Sequence, residues 1–143
     1  GWLTPSGENF VDYEDCFAWF RKLVEDYEIL PLQVGYDRYS AQYLVQDMQR
    51  YGFHMDDVFQ GNNLHPVLLE ADGLLRDKKL RLGRNPLLKA HFLNVALKQD
   101  TENRKYRPVK IEPRLHIDGF VSVIDALTVR QKWADQIGEQ LKN

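Results

Sequence analysis

The chain has 143 residues, 43% of them hydrophobic, which fits one domain with a real core and excludes a disordered tail. It holds no apolar run near the roughly 18 residues that span a bilayer and no secretion leader, and its single cysteine, Cys16, excludes an internal disulfide and a zinc-binding spacing. These features favour a reducing, cytoplasmic setting without a membrane partner, and the net charge of −2 hides a division: residues 1–75 balance at −9, residues 76–114 at +8 and residues 115–143 at −1.

Trp2 and Leu3 read as the end of a strand, followed by a turn at Ser6-Gly7. Asp12 stands where an N-cap would, with Asp15 three residues on. Phe17, Phe20, Val24 and Tyr27 follow at helical spacing, so the pattern predicts a helix over 13–28 that Pro31 prevents from continuing. Leu32 to Asp37 reads as a short strand ending in a carboxylate. Ala41, Leu44, Val45 and Met48 share one face of a helix over 39–51, which Gly52 caps. Met55 to Gln60 predicts a second strand, and Pro66 sits at the first turn of a helix over 66–77. In the basic segment, Leu80 to Leu82 reads as a short strand and Gly83-Arg84-Asn85 as a turn. Asn85-Pro86 opens a short helix to Leu93, Asn94 to Lys98 alternates as a strand does, and residues 100–107 read as a polar hairpin tip. A long helix runs from Ile117 to near Leu141, carrying Phe120, Val121, Ile124, Leu127 and Trp133. Alternation of helix and strand argues for an α/β layered domain.

Two acids stand out. Asp37 ends a strand, where open α/β sheets place their ligands, although taken by itself an N-cap of the following helix is the more common role for such an acid. Asp118 opens the last helix, where an acid also suits the helix dipole. As a converging pair they suit Mg²⁺ or Mn²⁺, which take one or two carboxylates together with phosphate oxygens. Asp125 follows Asp118 by seven residues, roughly 10 Å along a helix at 1.5 Å per residue, and reads as a supporting or surface acid. Asp56 and Asp57 face opposite ways on their strand. His116 could handle a proton or touch phosphate, whereas His54, His65 and His91 have no ligand spacing and read as packing or capping residues. No glycine-rich phosphate loop and no nucleophile–histidine set is present. Two basic clusters, Arg76, Lys78, Lys79, Arg81 and Arg84, then Arg104, Lys105, Arg107, Lys110 and Arg114, suit backbone phosphates without base readout. No row of aromatics interleaves them as a single-strand platform would need.

The strings Val34-Gly35-Tyr36-Asp37-Arg38, Phe59-Gln60-Gly61, Gly83-Arg84-Asn85-Pro86-Leu87-Leu88, Asn94-Val95, Lys110 and Arg114-Leu115-His116-Ile117-Asp118-Gly119 run in a telling order over about residues 33–128. Together they resemble the nuclease domain of the large terminase subunit of tailed double-stranded DNA phages and prophages. The resemblance implies a ribonuclease H-like fold, a mixed sheet flanked by helices. It implies a two-metal endonuclease that cuts concatemeric double-stranded DNA during packaging, with Mg²⁺ or Mn²⁺ as cofactor. Portal protein and the small terminase subunit are the implied partners, and the host bacterial cytoplasm the implied location.

Of the family's three acids, the second matches Asp37 and the third Asp118. The first lies on the opening strand, and no residue here matches it. Residues 1–143 are thus expected to be the C-terminal part of the nuclease domain, with the first strand and the ATPase domain outside them. Asp125 departs from the pattern, which has an apolar residue there. Without the first strand the Asp37 strand would show an unpaired edge, which invites self-association. A second reading is a non-catalytic docking module for portal, small subunit or DNA. A third, a resolvase or transposase, sits poorly with Asn85-Pro86 and His116-Ile117-Asp118-Gly119.

Overall fold

The computed structural model describes residues 3–39 and 42–142. The elements run α1 (Tyr13–Glu25), β1 (Val34–Asp37), α2 (Gln42–Tyr51), β2 (Met55–Val58), α3 (His65–Arg76), α4 (Pro86–Leu93), β3 (Val95–Gln99), β4 (Tyr106–Lys110) and α5 (Asp118–Lys142). A 3-10 turn at Asn62–Leu64 leads into α3.

Local signals explain most boundaries. The Asp12 side chain accepts the Glu14 N–H at 2.9 Å and caps α1, and Asn85 accepts the N–H groups of Leu87 and Leu88, both at 3.0 Å, to cap α4. Gly52 (φ 118) takes the backbone out of α2 while its N–H bonds the Met48 carbonyl at 3.2 Å. The helix expected over 13–28 stops at Glu25, because Glu28 turns to φ 56 and the Ile29 N–H reaches back to the Leu23 carbonyl at 2.8 Å. Leu80 to Leu82 is not a strand. The N–H groups of Lys79 and Leu80 both bond the Leu74 carbonyl, closing the end of α3 through Lys78 at φ 57. Leu3 lies in no strand, while Trp2 and Ala41 fall outside the described residues.

β1 and β2 pair in parallel, with Val34 opposite Met55 and Asp37 opposite Val58. β3 and β4 pair antiparallel, with Val95 opposite Lys110 and Gln99 opposite Tyr106. Both pairings of a mixed α/β layout are present. Among the described residues they form two separate ladders, not one continuous sheet.

The core is the seam where α5 lies across β2 and α3. Phe120, Ile124 and Leu127, spaced four and three apart, pack with Val58, Leu64, Val67, Leu68 and Ala71. Each such side chain, fully buried, contributes about 1.5–3 kcal/mol. A smaller cluster of Phe17, Phe20, Tyr51 and Phe53 joins α1 to the end of α2.

Two features of β1 position the site. A Cβ on Gly35 would meet the Asp125 carbonyl oxygen at 2.9 Å, so α5 crosses β1 in backbone contact. Along β1, in the space between α1, α2 and α5, runs an apolar trough of about 650 Å³, walled by Phe20, Val34, Leu44, Met48, Ala126 and Val129 among others. Among the described residues β1 has one ladder partner, β2.

Candidate active site

Parallel strands bring their carboxyl ends to one edge, and that edge is where α/β sheets hold ligands. Asp37 is the last residue of β1. Its Oδ1 accepts the Tyr39 N–H at 3.1 Å, a local loop bond. The described part of α2 begins five residues on, at Gln42. Asp118 is the first residue of α5, its side chain 83% exposed and its Oδ2 3.5 Å from His116 Nδ1. Asp37 and Asp118 line the same cleft of about 540 Å³, together with Gln60, Arg107, Ile117 and Asp125.

Asp125 is not a surface acid: it is 6% exposed. Its place on α5 measures distance from Asp118 along the helix axis, but the close crossing at Gly35 swings that turn of the helix against β1. Burial pushes the Asp125 carboxyl up to about 6; the hydrogen bond from Gln60 works against this, and the Asp37 charge adds to it. Gln60 Nε2 donates to Asp125 Oδ1 at 2.9 Å. The role of Gln60 was not read from the sequence, although an amide two residues past the end of β2 is a usable signal. An acid inside the apolar stripe of Val121, Ile124 and Leu127 likewise marks Asp125 as buried.

The start of α5 is held by α4. His91 Nδ1 accepts the Gly119 N–H at 2.8 Å, and Asn94 Nδ2 donates to the His116 carbonyl at 2.9 Å. A Cβ on Gly119 would press on Leu88 Cδ1 at 2.9 Å and His91 Nδ1 at 3.1 Å, so glycine permits the approach. His91 and His116 stack with centroids 6.5 Å apart. His65 ties the hairpin down, accepting the Tyr106 N–H on Nδ1 at 2.9 Å and stacking on its ring at 5.5 Å. The neighbouring Arg107 therefore reaches the cleft.

Of the ten basic candidates, Arg107 lines the cleft and the others lie elsewhere on the surface. Arg76 pairs with Asp72 at 2.9 Å, Lys79 with Asp77 at 4.0 Å and Arg114 with Glu112 at 2.8 Å. Lys78 and Arg104 occupy tight turns at φ 57 and φ 53. Arg81, Arg84, Lys105 and Lys110 are exposed. Asp56 and Asp57 do face opposite ways: Asp56 is buried, accepting Trp133 Nε1–H at 2.6 Å and Lys132 Nζ at 2.9 Å, while Asp57 pairs with Arg38 at 2.7 Å.

The cleft offers hard oxygen donors, and one oxygen of Asp37 is engaged by backbone. Burial does most to raise the Asp125 carboxyl and the nearby Asp37 charge adds to it, a charge that a divalent cation at Asp37 would offset. Such a donor set fits Mg²⁺ or Mn²⁺. Among the described residues no three His, Cys, Asp or Glu side chains close a complete ligand group. The remaining positions would fall to water and phosphate oxygens.

The family model "Terminase large subunit, endonuclease domain" matches residues 4–133. The chain belongs to this family. The solved large terminase of bacteriophage HK97 shares the fold, with a TM-score of 0.73 at 19% identity over 88% of this chain. The match covers 26% of that protein, so the terminase domain described here spans about a quarter of its length. No curated protein matches this terminase chain significantly. Among its described residues, no helix is long and apolar enough to cross a membrane.

Proposed function

We propose that this domain cuts concatemeric double-stranded DNA during phage genome packaging, in the host cytoplasm, with Asp37 and Asp118 holding Mg²⁺ or Mn²⁺. The observation that carries the reading is that these two acids, far apart in sequence, line one cleft of a terminase endonuclease domain. The bound ions would supply charge neutralisation and activation of water at the scissile phosphate. The chain's own residues do the rest. Arg107 draws the phosphodiester into the cleft, Gln60 fixes Asp125 behind Asp37, and His91 with Asn94 holds the α5 end that presents Asp118. His116, exposed beside Asp118, is placed to exchange a proton with solvent or meet a phosphate oxygen.

The family's first acid and its strand, together with the ATPase domain, belong in this reading to sequence outside residues 1–143. The trough beside β1 has the apolar lining to receive that strand. Portal and small terminase subunit are the proposed partners in the assembled motor.

The test is plasmid cleavage by the complete nuclease domain. Asp37→Asn and Asp118→Asn each abolish cutting and leave DNA binding largely intact. Retained cutting in both variants overturns the assignment.

A further inference from the structure

The catalytic cleft continues beyond Arg107. A second groove of about 570 Å³ lies between the loop after β2 and the β3–β4 hairpin, with Phe59, Gln60, Asn62, Lys98 and Arg107 among its walls. Gln60 and Arg107 line both hollows, so the two adjoin.

Two independent features point to a ligand there. The first is electrostatic. Lys98 and Arg107 are opposite one another in the antiparallel register, and like charges so placed repel. Among the described residues neither is in an ion pair. Asp100 also lines the groove, a carboxylate held ionised by the Glu102 N–H at 2.9 Å in the hairpin turn and by Asn62 Nδ2 at 3.4 Å from the loop after β2, and among the described residues it pairs with neither cation. An anion between Lys98 and Arg107 would offset their repulsion.

The second is an aromatic surface. Phe59 is 45% exposed. It lies so close over Gly61 that a Cβ there would collide with it, and the Arg38 guanidinium sits 5.5 Å from its centroid. Arg38 is in turn held by Asp57. A part-exposed ring at the mouth of a cationic groove offers a nucleobase a stacking surface where the base takes the place of Arg38 over the ring.

We propose that this groove is a subsite for the nucleotide next to the scissile phosphate, its phosphodiester held between Lys98 and Arg107 and its base against Phe59. The proposal rests on the nuclease reading and extends it from the cut phosphate to the neighbouring nucleotide. The hairpin thereby sets where the strand lies relative to Asp37 and Asp118.

The test is an NMR titration of the ¹⁵N-labelled 143-residue chain with 5′-phosphorylated thymidine dinucleotide in EDTA. Amide shifts are expected over residues 59–62, 98–100 and 106–107. Combining Lys98→Gln with Arg107→Gln abolishes them, whereas the charge-keeping Lys98→Arg retains them. Phe59→Leu weakens dinucleotide binding about tenfold, the worth of one stacked base, and leaves inorganic phosphate binding unchanged. The spectrum of each variant reports whether it is folded. Shifts confined to residues 76–84, no shifts at all, or binding indifferent to the two charges overturn the subsite. Those results leave the nuclease reading standing, because that reading is decided separately by cleavage with Asp37→Asn and Asp118→Asn.

Discussion

The parallel pair β1–β2 lies under α5, with Val58 almost fully enclosed and Asp56 bonded to the helix above it, whereas the hairpin β3–β4 leaves four of the five β3 residues exposed. The first pair is held by core packing, and the second by a few contacts such as His65 with Tyr106. The cleft acids Asp37, Asp118 and Asp125 sit on the packed pair and on α5, and the cations Lys98 and Arg107 on the lightly held hairpin. Firm packing and exposed positive charge are thus divided between the two regions.

The largest expected effect strikes the packed region. Gly35→Val drives a side chain into the α5 backbone and should cost about 3 kcal/mol, read as a lower urea midpoint for the whole chain. An unchanged midpoint would mean that α5 does not cross β1 closely. Next, Asp56→Ala strands the Trp133 indole N–H and the Lys132 ammonium, and should cost about 2–3 kcal/mol, again globally.

Asp125 gives a pH-dependent prediction of the opposite sign. Its folded value, about 6, lies above the usual 3.8, so the folded state binds the proton more tightly than the unfolded chain. Stability therefore falls as pH rises from about 4 to about 6 and stays low above that. Asp125→Asn removes this penalty. It should stabilise the domain by about 1–2 kcal/mol at pH 8, after allowance for solvent screening, and by little at pH 4. Equal effects at both pH values would place Asp125 in solvent.

The smallest effect belongs to the hairpin. His65→Leu removes the acceptor of the Tyr106 N–H and should cost about 1 kcal/mol. Hydrogen exchange should quicken over residues 95–110 and leave β1–β2 unchanged. Equal loosening of both pairs would erase the distinction between them.

Much of this was legible residue by residue. Asp12 and Asn85 announced the helices they cap, and Pro66 announced the first turn of α3. Asp37 and Asp118 drew attention as a strand-end and a helix-start acid. The Leu80–Leu82 strand failed because two leucines either side of Arg81 are too short a run to fix a period, and the turn after α3 claimed the Leu80 N–H. His65 and His91 read correctly as packing or capping residues, but which elements they join depends on chain segments far away in sequence.

The sequence by itself determined the capped starts of α1 and α4, the strand-end and helix-start acids, the basic segment and the resemblance to terminase nucleases, because caps, turns and periodicity act within a few residues. Only the tertiary structure decided that Asp125 is buried beside Asp37, that Gln60 holds it, and that Arg107 alone of the ten basic candidates lines the cleft. Those facts follow from how α5 crosses Gly35 and how the hairpin docks on α3, and side-chain packing between distant segments fixes both.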